Sequence, residues 1–259
     1  MSPASDFIDR IAPASRPSGK PSGYQTWSNL LFLHWEVSAY EIESMIPEAL
    51  TVDTFNGKAW IGLVLFGMSG VRPRWFPAVP GISSFLETNV RTYVHLDGEE
   101  PGVWFFSLDA ASSLAVSIGQ GRWKLPYHFS AMTLRKTGNL IESSAQRPAP
   151  GADGPGYSVE AEIGDELCQL NKDIPDGQAV PGTLEHFLVE RYVMYINDPQ
   201  SGLYRGRVHH KPYPLCEAQL LKIQESLLES NELSPQSDVR HTVFSAGVDV
   251  EVFPLEKIV

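Results

Sequence analysis

Four side chains able to do chemistry recur at every second position of the stretch ETNVRTYV, residues 87–94: Glu87, Asn89, Arg91 and Tyr93. Side chains on a strand alternate between faces, so these four share one face while Thr88, Val90, Thr92 and Val94 share the other. The β-branched face suits packing. The other lines up a carboxylate, an amide, a guanidinium and a phenol. Such a row suits holding an anion bidentately through Arg91 and moving a proton through Glu87. Two plainer readings stand beside it: a solvated strand face, or an internal Glu87–Arg91 ion pair that braces the fold.

Other candidates are more scattered. Lys124 lies two residues before Pro126, on the same face if that stretch is a strand, and a surface lysine beside a buried Trp123 is the plain alternative. Asp109 and Ser107 share a face of VWFFSLDA with Phe105, so Asp109 suits an acid or base, or a cap on the helix that follows. Arg122 suits an anionic ligand. His210 suits proton transfer near neutral pH, with a backbone-bonded structural histidine as the alternative. Arg191 and Tyr192 suit the anchoring of a helix. His209 and His210, adjacent on a strand, point to opposite faces and cannot chelate one metal from it, so no metal is expected. GxGxxG, Walker-type, GxSxG and HExxH patterns are absent, and no cofactor is expected.

The elements that must position these residues are mostly strands. SNLLFLHWEV (28–37) reads as a strand, and SAYEIESMIP as a short helix with Ser38 and Glu41 as a capping box. TVDTFNGKAWIGLVLFGM reads as a hairpin turning at Asn56-Gly57. RPRWFPAVPG (72–81) reads as a loop, followed by the 87–94 strand and its antiparallel partner VWFFSLDA. ASSLAVSIGQ reads as a helix, LPYHFSAMTLRK as a strand, RPAPGADGPG (147–156) as a loop and YSVEAEIG as a strand. Apolar spacing predicts a helix over 183–196, while EAQLLKIQESLLES fits helix or strand. GLYRGRVHH and VFSAGVDVEVF read as strands.

This pattern predicts an α+β, mainly β fold, an antiparallel sheet that curls or closes, with helices outside. Residues 1–24, rich in Ser, Pro and Gly, read as a flexible tail before a single domain over 25–259. A net charge of −11 argues against nucleic acid, and no stretch is long and apolar enough for a membrane span. With only Cys168 and Cys216 and no leader-like pattern, a cytoplasmic protein is expected. The expected partner is a small molecule, with a homo-oligomer left open.

The motifs LLFLHWEV, FLETNVRTYV, PGVWFFSLDA, LPYHFSAM, FLVERYVMY, VHHKPYPL and FSAGVDVEVF keep an order that resembles the YqjF-like bacterial proteins, within the acetoacetate decarboxylase-like superfamily. The resemblance, over about residues 27–254, implies a cone-shaped antiparallel β-barrel with a ligand cavity and outer helices. It makes Glu87, Asn89, Arg91 and Tyr93 the cavity wall and matches the enzymes' pocket glutamate to Glu87. Acetoacetate decarboxylases use a lysine, kept neutral by a second lysine, to form a Schiff base with a keto acid. Tyr127 and His128 stand where that pair is expected, and Ser28 stands near the gating arginine. Two functions follow: an enzyme on a small organic acid or ketone without the usual lysine pair, or a protein that binds such a molecule unchanged.

Overall fold

The computed structural model describes residues 8–150, 152–167, 174–235 and 237–258. In the first half of the chain the strands are β1 (Gly23–Val37), β2 (Thr51–Val52), β3 (Ala59–Pro73), β4 (Phe85–Leu96), β5 (Glu99–Ala110), β6 (Tyr127–Phe129), β7 (Ala131–Thr137) and β8 (Leu140–Ala149). They are followed by β9 (Ala152–Glu166), β10 (Val193–Asp198), β11 (Gly202–His209), β12 (Leu215–Glu225), β13 (His241–Val252) and β14 (Glu256–Lys257). The helices are α1 (Ala39–Glu43), α2 (Ser113–Arg122), α3 (Leu184–Val189) and α4 (Leu227–Ser230).

Pairing runs β11–β10–β5–β4–β3–β1–β13, and β13 returns to β11 through Val208↔Val252 and His209↔Glu251, closing a ring. The closed sheet is the expected barrel. Its joints are antiparallel except β10–β5, which is parallel, as is the short β6 beside β5. From the same β13 the sheet also continues outward through β12, β9, β8 and β7.

Both faces of the ring strands are covered, which is why β3 reads as an unbroken apolar run rather than an alternating one. Outside, Leu31, Leu33, Ile61, Leu63, Val90 and Val94 pack with Ile141, Val159 and Ala161 of β8 and β9. Inside, Leu30, Phe32, Val64, Phe66, Tyr93 and Val103 pack together. Phe187 and Leu188 of α3 belong to this inner cluster, so α3 plugs the ring instead of lying outside it.

Several local readings need correction. Asn56 (φ 51°) and Gly57 (φ 75°) make the expected turn between Phe55 and Lys58, yet Thr51–Val52 pairs with β4 and not with β3. The helix over 183–196 stops at Val189, because VMYIND alternates and is taken up by β11 and β5. The 147–156 loop lies largely within β8 and β9, and the ambiguous 217–230 stretch divides into strand and one short turn of helix. LPYHFSAMTLRK breaks at Ser130 into two strands. Ser38 is the N-cap residue of α1 but its side chain makes no capping bond.

The chain before β1, expected as a flexible tail, makes defined contacts over its described part. Arg10 bonds Asp53, Arg16 bonds Glu251 and lies over Phe253, and the amide of Ser22 donates to Val252. Among the described residues no helix is long and apolar enough to cross a membrane.

Candidate functional site

β4 lies in mid-ring, so its alternation turns Glu87, Asn89, Arg91 and Tyr93 inward and Val90 and Val94 outward. All four inward residues are buried, Glu87 at 4% exposure and Arg91 at 8%. The internal Glu87–Arg91 ion pair is not formed. Arg91 donates from Nη2 to the Leu188 carbonyl at 2.9 Å, and its guanidinium lies 5.6 Å from the ring centres of both Phe32 and Tyr93. Its Nε has no partner. A buried guanidinium without a carboxylate is costly unless something anionic comes to it.

Glu87 instead accepts a hydrogen bond of 2.7 Å from the Tyr127 hydroxyl. Burial raises the Glu87 carboxyl from 4.5 to about 7; the Tyr127 bond opposes that rise and the nearby Asp109 charge adds to it. Burial and the Glu87 charge together push the Tyr127 phenol well above its ordinary value. Gly119 of α2 makes this contact possible. A Cβ there would meet the Tyr127 ring at 2.3 Å, so only glycine lets the phenol pass under the helix toward Glu87.

The opposite wall is aromatic. His210 lies with its ring centre 4.5 Å from Tyr192, 4.6 Å from Tyr213 and 5.7 Å from Trp27. Its Nδ1 faces the Lys211 carbonyl at 2.7 Å, which places the proton there and leaves Nε2 as a bare acceptor. Burial lowers His210 to about 4, against the pull of the Lys211 carbonyl, so it is neutral near pH 7. Glu190 is held by the Tyr192 hydroxyl and the Tyr213 amide. Trp27 Nε1, Asn89 Oδ1, Arg91 Nε, His210 Nε2 and Ser245 Oγ all lack partners, and all belong to inward residues.

The remaining sequence candidates are not brought to this wall. Lys124 is not on a strand: it follows α2 in the left-handed region (φ 53°) and is exposed, as is Arg122 at the helix end. Every described lysine is exposed. Lys124 borders an open cleft of about 440 Å³ outside the ring, with Trp104, Phe106 and Tyr195. No unpartnered buried polar atom belongs to the described lining of that cleft, whereas those of Trp27, Asn89, Arg91, His210 and Ser245 belong to inward residues. Asp109 does not cap α2, since Ser112 does. Asp109 is fully buried and paired with Arg147 at 2.8 Å and Ser130 at 2.5 Å. A bulge at Phe106 also parts Phe105, which turns inward beside Arg91, from Ser107 and Asp109. Among the described residues no His, Cys, Asp and Glu group could hold a metal ion.

From the sequence Tyr127 is only a mismatch to the expected lysine, and Trp27, Tyr213 and Ser245 carry no mark of site residues. Parity along β1 and β13 is the signal that could have found Ser245, which pairs with Leu30. Nothing in the sequence marks the reach of Tyr127 to Glu87.

Comparison with known proteins agrees with this architecture. The model of the DUF2071 family, described as an uncharacterized conserved protein, matches residues 24–249. The uncharacterized protein YqjF of Bacillus subtilis (strain 168) is 32% identical over 235 residues, covering 90% of this chain and 91% of that one. Among solved structures, the enduracididine biosynthesis enzyme MppR complexed with pyruvate superposes with a TM-score of 0.61 at 10% identity, covering 93% of this chain and 92% of that one. Acetoacetate decarboxylase from Legionella pneumophila gives 0.60 at 13% identity, covering 95% and 92%. The chain belongs to the DUF2071 family and has an acetoacetate decarboxylase-like fold.

Proposed function

We propose that this member of the family binds a small organic acid or ketone inside the ring, with Arg91 holding a carboxylate and Glu87 exchanging a proton with the bound molecule. The observation that carries the reading is Arg91: buried, with no carboxylate partner among the described residues and an unsatisfied Nε. A carboxylate there completes the guanidinium's bonds and removes the cost of the orphaned donor, about 1–3 kcal/mol or more for a charged group. The pyruvate bound in MppR supports the size and charge of this ligand class.

Glu87, raised to about 7, populates both forms near neutrality, the condition for a group that takes a proton and returns it. It suits removal of a proton from carbon beside a carbonyl, the carboxylate being fixed at Arg91. Among the described residues Schiff-base chemistry has no buried nucleophile, because every described lysine is exposed and the Tyr127 hydroxyl is the group that meets Glu87. That same feature favours the second reading, in which the ligand is bound and not turned over.

Calorimetric titration with pyruvate and with acetoacetate tests binding, and deuterium uptake into the pyruvate methyl group in D₂O tests proton exchange. The reading expects binding that Arg91→Met abolishes, and exchange that Glu87→Gln abolishes while binding persists. Binding without exchange selects the second reading. Binding that survives Arg91→Met unchanged refutes both.

A further inference from the structure

A line of polar contacts leaves the Arg91 end of the interior and reaches the surface. The Tyr93 hydroxyl lies 2.8 Å from the Leu188 carbonyl and 2.8 Å from His34 Nε2. His34 Nδ1 lies 3.0 Å from His241 Nδ1, across the directly paired positions of β1 and β13. His241 Nε2 has no hydrogen-bond partner and stands 3.9 Å from the carboxylate of Glu185, which is 37% exposed. Tyr93 and His34 are fully buried.

The hydrogens on this line can be placed from one fact. A carbonyl only accepts, so the Tyr93 hydroxyl donates to Leu188. The Tyr93 oxygen must then accept from His34 Nε2–H, which leaves His34 Nδ1 bare. His34 Nδ1 therefore accepts from His241 Nδ1–H, and His241 Nε2 is the lone pair turned to Glu185. Every hydrogen points inward, and the only open acceptor is at the surface end.

We propose that Glu185, His241, His34 and Tyr93 form a proton-conducting chain from solvent to the Arg91 end of the barrel interior. In one transfer His241 Nε2 takes a proton relayed by a water from the Glu185 side, the 3.9 Å gap being too long for direct transfer, and its Nδ1–H passes to His34 Nδ1. The Nε2–H of His34 passes to the Tyr93 oxygen, and the hydroxyl hydrogen of Tyr93 passes to a basic atom of the bound molecule in place of the Leu188 carbonyl. One proton enters and one leaves, and no group in the chain keeps a charge. The starting tautomers return when a proton taken from the bound molecule by the Tyr93 oxygen runs the same hops outward, so the chain exchanges protons in both directions.

The surroundings favour neutral conduction. His34 faces His241, Tyr93 and the Arg91 charge, and burial, then His241, then Arg91 hold it well below its ordinary value. His241 faces His34 and Glu185, and burial lowers it to about 4 against the Glu185 charge. Tyr93 faces Arg91 and, 5.0 Å over its ring, Arg191. Gly62 lies under the joint: a Cβ there would approach His34 Nε2 at 3.2 Å and the Tyr93 oxygen at 3.3 Å, so its absence leaves that bond undisturbed.

The inference rests on the interior as the ligand site for its purpose, but its test does not. In the ligand-free chain labelled with ¹⁵N-histidine, long-range ¹H–¹⁵N spectra near pH 7 read the tautomers, and water-exchange spectroscopy reads the Tyr93 hydroxyl. Expected are the Nε2–H tautomer for His34, Nδ1–H for His241, and a hydroxyl exchange rate that falls about a hundredfold in His241→Gln, the scale of a positioned acid–base group. Glu185→Gln, at the surface, should slow it in the same direction with the fold intact, and so carries the test where His241→Gln does not fold. Pyruvate titration of Glu185→Gln should match the wild type, separating loss of the chain from loss of the ligand site. The opposite tautomers, or a hydroxyl exchange rate unchanged in Glu185→Gln, would overturn the chain whatever pyruvate does.

Discussion

Replacing Glu87 by Gln should stabilise the protein above neutral pH and change it little in mild acid. Glu87 is 4% exposed and its carboxyl is raised by burial from 4.5 to about 7. A carboxyl whose folded value lies above its unfolded value gives stability that is greatest below the unfolded value. That stability is lost as pH rises through the folded value. Here the loss begins near pH 4.5 and is complete a little above 7. At 1.36 kcal/mol per pKa unit the full difference is about 3 kcal/mol, of which about 2 kcal/mol falls between pH 5 and pH 8. Gln keeps an acceptor for the Tyr127 hydroxyl, so the bond persists while the charge goes. Urea unfolding of both proteins across that pH range gives the difference in stability, in which the other titrating groups cancel. The variant should gain about 2 kcal/mol on the wild type from pH 5 to pH 8. A gap that stays flat to within about 0.5 kcal/mol refutes the assignment of Glu87 as the group titrating near neutrality.

Arg91→Met should cost less than about 2 kcal/mol in urea unfolding, because no carboxylate is left unpaired; a loss of about 3–5 kcal/mol would show a hidden ion pair. Arg147→Met should cost about 3–5 kcal/mol, since it strands fully buried Asp109, and Asp109→Asn in the same chain should recover much of it. Acetoacetate with borohydride should leave the intact mass unchanged, and an adduct mapped to any lysine would contradict the interior as described. Lowering pH from about 6.5 should destabilise the wild type, because His186 and His210 are held neutral to about 4 by burial first of all. The unfolded chain binds protons that the folded one refuses, so the loss deepens as pH falls toward 4, and an acid limb flat in thermal unfolding would contradict their burial.

The inward row on β4 was legible because a period of two needs nothing beyond the strand itself. An antiparallel sheet that curls or closes was legible from the number of strands and the absence of βαβ units, and its closure into a barrel followed from the resemblance carried by the ordered motifs. What escaped was set by partners distant in sequence. Tyr127 meets Glu87 only because β6 lies parallel to β5 and Gly119 gives way, a contact spanning 40 residues. His34 and His241 meet through the β1–β13 register, across 207 residues. A single bulged residue, Phe106, turned Asp109 away from the face that strand parity gave it with Phe105. The helix expected over 183–196 was overridden when β10 found two neighbours, a tertiary outcome that apolar spacing does not carry. Lys124 was misplaced because a strand was drawn through a helix C-terminus.

A small organic acid should bind in the ring interior through Arg91 and not in the outer cleft. A crystal structure of the chain grown with pyruvate tests it most directly. The expected result is density for a carboxylate bonded to the Arg91 guanidinium, beside Glu87, Asn89, Tyr93 and His210. Pyruvate bound only in the outer cleft beside Lys124, with Arg91 bonded as before to Leu188 alone, would contradict it.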